Sequence, residues 1–290
     1  MNNPFNLNNT EAYQRWREYK LAHAITRTGD LIVEIKDPLA LTPAERAELL
    51  SCCRRSNMVI YATRGAMDEA MLQQFAARCG LEKLDANWLA GEQGISRITV
   101  CNDDGKRQSY IPYTDRAIKW HTDGYYNPPA RQIRGMALHC AQRAGSGGEN
   151  RVLDHEIAYL MLRDADVGFI RALSAPDAMT IPERVDETDG VRPAQSGPVF
   201  SVDAQGNLHM RYTARTRSIE WKQDAATLAA VAMLERLLGA DSAHIHALRM
   251  ESGMGLLCNN VLHDRSAFTD DPSLPRLLYR ARYLDRLANT

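Results

Sequence analysis

The chain has 290 residues, of which 44% are hydrophobic and 24% charged, and its 35 basic against 36 acidic side chains leave a formal net charge of −1. That balance speaks against a general nucleic-acid binder, which needs a basic excess to neutralise phosphates. No run approaches the roughly 18 consecutive apolar residues of a membrane span.

The opening, MNNPFNLNNT, is polar and carries no apolar signal core, so the expected setting is the cytoplasm and the expected partner a small molecule. Six cysteines (Cys52, Cys53, Cys79, Cys101, Cys140 and Cys258) are scattered without a C-x-x-C pair. They read as reduced core thiols and not as a structural zinc site.

From Tyr13 onward the aromatic and aliphatic residues are spaced for an N-terminal helix, with Asn9 or Thr10 available as N-cap. Asp30 to Ile35 alternates as a strand does, and Thr42 with Glu45 forms a capping box that opens a helix over Pro43 to Arg54. A short buried strand is predicted at Met58 to Tyr61 and a helix around Asp68 to Cys79. From Ile95 the chain changes to short strand-like runs separated by Gly, Pro, Asn and Asp, with DDG and AQGN as hairpin turns. A helix at Ala225 to Leu238 interrupts them, and three closing strands follow near His244 to Met250, Gly255 to Asn260 and Arg276 to Leu284. The fold class is therefore α/β with a mainly β core, a barrel or sandwich with helices around it. With no repeat and no linker, residues 1–290 read as a single domain in which residues 1–94 are an α/β elaboration. A homo-oligomer is compatible with all of this.

The sharpest local signal is Lys119-Trp120-His121-Thr122-Asp123-Gly124. In an extended segment residues two apart share a face, so His121 and Asp123 present an imidazole and a carboxylate together. A third donor, His263, ends a strand-like run, and Arg276, Arg280 and Arg282 share one face of the next strand. Two histidines and a carboxylate are the facial triad of non-haem Fe(II) oxygenases, which leaves positions open for a chelating 2-oxo acid and O2. An arginine fork suits the far carboxylate of such a co-substrate.

Other patterns compete. His244, His246 and Glu251 with His263 could form a cupin-like site needing no 2-oxo acid, although the usual glycine and proline hairpin is missing. Asp154-His155-Glu156 looks ligand-like but is explained by Asp154 as a helix N-cap. Tyr125 and Tyr126 follow the H-x-D pair and Arg211 and Tyr212 follow a hairpin; these four are candidate substrate contacts, with Trp120 a packing residue. A non-catalytic metabolite-binding barrel is the remaining alternative.

The motifs W-H-T-D, G-G-E-N, N-N-x-L-H-D-R-x-A-F and P-R-L-L-Y-R, in this order from about Ile111 to the C-terminus, resemble the taurine dioxygenase (TauD/TfdA-like) family of Fe(II)- and 2-oxoglutarate-dependent dioxygenases. The resemblance implies a double-stranded β-helix, or jelly-roll, barrel. It implies iron ligation by His121, Asp123 and His263, binding of the far 2-oxoglutarate carboxylate by Arg276, and contact of Arg280 with an anionic group of the substrate. Asn150 stands where the family often has a threonine that helps to hold 2-oxoglutarate. The implied reaction converts 2-oxoglutarate and O2 to succinate and CO2 while a small polar or anionic metabolite, such as an amino acid or other organic acid, is hydroxylated. Retention of Asp123 disfavours the related halogenases, which replace that carboxylate by a small residue.

Overall fold

The computed structural model describes residues 3–85, 94–100, 110–186, 190–216 and 219–290. Cys101 and the DDG turn expected at Asp103 to Gly105 lie outside the described residues.

Two sheets position the site. The larger sheet has six strands in the order Ile32–Ile35, Met58–Thr63, Met254–Cys258, Gly135–Gln142, Leu277–Tyr283 and Ser96–Ile98. The smaller has four, in the order Ile245–Leu248, Asn150–Leu153, Leu262–Arg265 and Ile118–His121. Every pairing in these two sheets is antiparallel except Ile32–Ile35 with Met58–Thr63. Those two strands are parallel because the helix Pro43–Ser56 carries the chain back between them. Neither sheet closes on itself among the described residues.

The chain's local chemistry accounts for most boundaries. Thr42 and Glu45 form the full capping box, and Asn57 ends that helix in the left-handed conformation, with φ 55°. Asn9, Asp68 and Asp224 cap the helices Thr10–His23, Glu69–Arg78 and Ala225–Gly239 through their side chains. The AQGN hairpin is present, with Gly206 at φ 88° between the paired strands Phe200–Val202 and Leu208–Met210.

One expectation needs revision. Asp30 and Leu31 belong to a 3-10 turn over Thr28–Leu31, closed by Asp30 N–H donating to the Arg27 carbonyl, so the strand begins only at Ile32. Asp154 caps the helix His155–Ala165 as expected, accepting from the Glu156 N–H, and a second helix, Val167–Leu173, capped by Asp166, follows it.

Two apolar cores flank the sheets. One packs the larger sheet against Pro43–Ser56 and Glu69–Arg78. The other gathers Trp120, Leu153 and Leu262 with the helices His155–Ala165, Val167–Leu173 and Ala225–Gly239. The N-terminal helix is tied to the second by a buried charge cluster in which Lys20 Nζ lies 2.6 Å from Asp154 and 2.5 Å from Glu156. Burial disfavours both charges, yet Lys20 is held above its ordinary pKa by the two carboxylates, and Asp154 below its own by Lys20. The five described cysteines are buried single thiols, and no helix among the described residues is long and apolar enough to cross a membrane.

Candidate metal centre

His121 and His263 sit directly opposite each other across the antiparallel pair Ile118–His121 and Leu262–Arg265. Their rings are therefore neighbours, with centroids 4.2 Å apart. Asp123 lies two residues beyond His121, where Gly124 turns the chain with φ 66°; a Cβ there would meet Ile133 Cγ1 at 2.3 Å. One donor atom from each of His121, Asp123 and His263 falls within 4.8 Å of the others, which lets three side chains from two strands surround one ion.

Both imidazoles are aimed in the same way. His121 Nδ1 lies 2.9 Å from the Lys119 carbonyl and His263 Nδ1 lies 3.0 Å from the Val261 carbonyl. A carbonyl only accepts, so each Nδ1 carries a proton and Nε2 is the ring nitrogen left to face a metal. Burial, with His263 alongside, pushes His121 down to about 3, so its ring stays neutral over any working pH. Burial opposes ionisation of Asp123, but Arg280 and Arg282 outweigh it and hold the carboxyl below its ordinary range. Arg280 Nη1 donates to Asp123 Oδ1 at 3.2 Å, while Oδ2 is buried without a partner. An orphaned buried carboxylate oxygen beside two imidazoles that are both aimed through Nδ1 fits a divalent cation.

The H-x-D segment is braced from two sides. Asn260, at φ 52°, accepts from Asp123 N–H at 2.8 Å and donates to the Asp123 and Ile133 carbonyls at 2.9 and 2.7 Å. The Thr122 N–H donates to the Tyr212 carbonyl, and the Tyr212 N–H donates back to Thr122 Oγ1.

His121 and His263 open onto a cleft between the two sheets. Ile98, Met136, Leu138 and Leu278 give it an apolar wall, while Asn150, Asp264, Arg265, Arg276 and Arg280 supply polar groups, the Asp264 carboxylate being paired with Arg151. Arg276 is 6% exposed, and its guanidinium packs 4.9 Å from the Phe268 ring centroid. No carboxylate among the described residues lies within 4.0 Å of it. Burial pushes Arg276 down to about 10, which leaves it charged at neutral pH. Asn150 Nδ2 donates to the Asp264 carbonyl at 3.1 Å.

Other sequence candidates are placed elsewhere. Arg211 is a brace and not a substrate clamp: its guanidinium donates to the carbonyls of Tyr125, Met179, Gly197 and Gln195. Tyr212 is fully buried against Trp221 and acts through its backbone. Tyr125 and Tyr126 stack edge to face beside the centre, accepting from Arg215 and Arg282 respectively, and neither lines the cleft. Trp120 packs as expected, its Nε1 donating to the Leu238 carbonyl. His244 and His246 do not gather with His263 into a metal cluster among the described residues. His246 is buried beside Thr28 and Glu251 pairs with Arg143 at the surface, so the cupin-like arrangement is not formed. Sequence reasoning missed Asn260 and Arg265, although both stand inside the N-N-x-L-H-D-R run that flagged His263.

Comparison with known proteins gives the same picture. Residues 19–282 match the family model described as taurine catabolism dioxygenase TauD, TfdA family. A uridine-5'-phosphate dioxygenase from Amycolatopsis sp is 30% identical over 171 residues; the match takes in 57% of this chain and 60% of that relative, less than two thirds of its length. Among solved structures, asparagine oxygenase in complex with Fe(II), 2S,3S-3-hydroxyasparagine and succinate superposes with TM-score 0.61 at 15% identity, over 84% of this chain and 80% of that one. A taurine dioxygenase from Burkholderia xenovorans gives 0.58 at 17% identity, over 87% and 86%. At such identities these structures speak for the fold alone.

Proposed function

The chain belongs to the taurine catabolism dioxygenase TauD, TfdA family, and from that membership we propose that it is an Fe(II)- and 2-oxoglutarate-dependent dioxygenase that hydroxylates a small polar or anionic metabolite. The observation that carries the reading is Arg276: a buried cation with no carboxylate within 4.0 Å among the described residues, in the same cleft as His121 and His263, next to which an Asp123 oxygen is orphaned. A buried charge needs a partner, and an anionic co-substrate held next to the metal provides it. On this reading the two sheets are the walls of a double-stranded β-helix, residues 1–290 work as one domain, and the buried single thiols suit the reducing cytoplasm.

His121, Asp123 and His263 hold the iron, with Asp123 cancelling one of its charges. Bound there, iron supplies redox chemistry, coupling reduction of O2 to oxidative decarboxylation of 2-oxoglutarate and to hydroxylation of the substrate. The protein's own work is placement. Arg276 with Asn150 receives the far carboxylate, and Met136, Leu138 and Leu278 cover the methylene chain and exclude water. Arg280, beside Asp123, offers a cation toward the metal end of the cleft. Among anionic metabolites, nucleoside 5'-phosphates are the first to try, since uridine-5'-phosphate names the relative that is 30% identical.

The test is anaerobic visible absorption during titration with Fe(II) and then 2-oxoglutarate. A weak charge-transfer band that is absent in His121→Ala and Arg276→Ala supports the reading. Iron binding without a band in the unaltered protein overturns it.

A further inference from the structure

The cleft holds a second buried guanidinium that the family resemblance leaves without a role. Arg265 is 4% exposed and lines the cleft with Arg276 and Asn150. It follows His263 by two residues, so the two side chains leave the strand on the same side. On one edge of that strand Arg265 stands directly opposite Asn150, and on the other the register slips between His263 and Arg265, which re-aims the side chain.

Its bonding is incomplete. Nη2 donates to the carbonyls of Thr114 and Arg116, which ties down the segment leading to His121, whereas Nε is buried and has no partner. The guanidinium centre lies 4.7 Å from the Phe268 ring centroid, the same ring that Arg276 packs against at 4.9 Å. No carboxylate among the described residues lies within 4.0 Å of Arg265. Two like charges thus share one aromatic ring and one cleft wall; Asp115 and Asp270 act on them only from beyond 4.0 Å, and Asp264 in the same wall is paired with Arg151, so their repulsion is relieved when an anion is placed with them.

We infer that Arg265 is a second binding cation for the far carboxylate of the 2-oxo acid, so that this carboxylate is received by two guanidinium groups and the Asn150 amide. The inference rests on the 2-oxoglutarate reading above. It makes Arg265 a selectivity residue: it favours a dicarboxylic co-substrate over a 2-oxo acid that ends in a methyl group.

The experiment compares 2-oxoglutarate with 2-oxopentanoate, which keeps the chelating head and chain length but lacks the far carboxylate. Dissociation constants are read anaerobically from the charge-transfer band of the Fe(II)-loaded protein, so no turnover is involved. Arg265→Gln is expected to weaken 2-oxoglutarate about 10- to 100-fold, the worth of one charge-assisted hydrogen bond, and to leave 2-oxopentanoate within about twofold. If both acids weaken equally, Arg265 only supports the strand and the inference is overturned. Because Arg265 also holds two carbonyls, Arg265→Lys is measured in parallel; it keeps a donor for them while losing the fork, and the same ratio of the two affinities decides. If the unaltered protein forms no band with either acid, the 2-oxoglutarate reading itself has failed, an outcome distinct from an unchanged ratio in the variants.

Discussion

Asn260 grips Asp123 by its backbone on both sides, accepting from its N–H at 2.8 Å and donating to its carbonyl at 2.9 Å. The residue that joins the two halves of the centre is therefore neither a metal ligand nor part of the cleft wall. Its left-handed φ of 52° is one that glycine adopts freely, so Asn260→Gly removes the amide with little change in backbone preference. The Asp123 peptide groups are then buried without partners, at about 1–3 kcal/mol each. The expected result is a fall in Fe(II) affinity of at least about tenfold together with a lower Tm, read by anaerobic iron titration and thermal melts. Unchanged iron affinity in a folded variant would show that Asp123 holds its own position.

Lys20 is the only cation that the structure places within ion-pair distance of the buried Asp154 and Glu156 among the described residues. Lys20→Met leaves a buried carboxylate uncompensated and is expected to cost about 3–5 kcal/mol. The pH dependence has a definite sign. In the unaltered protein Asp154 has a lowered pKa, so its contribution is present above the unfolded carboxyl pKa and is lost as pH falls through the folded one. In the variant burial dominates and raises that pKa, so the deficit shrinks as pH falls from 8 toward about 5. Denaturant unfolding at several pH values reads this directly; a deficit that does not change with pH would contradict it.

Arg211→Ala separates bracing from substrate binding. Four carbonyls lose their donor, and stability is expected to fall by roughly 2–4 kcal/mol, the order found when buried polar groups are left unpaired. A substrate clamp would behave differently, with KM rising while the melting temperature stayed the same.

Gly255 lies where the strands Met58–Thr63, Met254–Cys258 and Gly135–Gln142 run side by side. An added Cβ would meet the Tyr61 ring at 2.2 Å and the Leu138 carbonyl oxygen at 2.3 Å. One of those atoms is backbone in a central strand, so Gly255→Ala is expected to cost at least about 3 kcal/mol, beyond ordinary overpacking. Retention of the parent melting temperature would mean that the sheet yields at this point.

Much of this molecule can be read from its residues, and the unread part has physical causes. Capping boxes, N-caps and the AQGN turn act within a few residues, and the helices Pro43–Ser56 and Ala225–Gly239 and their boundaries follow from them. The triad was legible because H-x-D spacing and the H-D-R run each fix a face locally. Arg211 was misread as a clamp because an arginine beside a hairpin looks the same in sequence whether its partners are an anion or four carbonyls from elsewhere in the chain. The parallel pairing of Ile32–Ile35 with Met58–Thr63 depends on how a helix crosses the sheet, and strand periodicity carries no such information. Asn260 and Arg265 lay in a motif already noted, but their tasks depend on cross-strand partners, Asp123 and Asn150, more than 100 residues away in the chain.

Each imidazole of the candidate centre is oriented by the carbonyl two residues before it in the chain, where many metal sites use a carboxylate for this task. Tautomer and aim are thus encoded in two tripeptides, Lys119 to His121 and Val261 to His263. The long stretch between them reaches the rings only through the backbone, as where Tyr212 braces Thr122 beside His121, and not through either Nδ1 bond. A side-chain change elsewhere turns either ring only if it first moves one of these two short pieces of backbone.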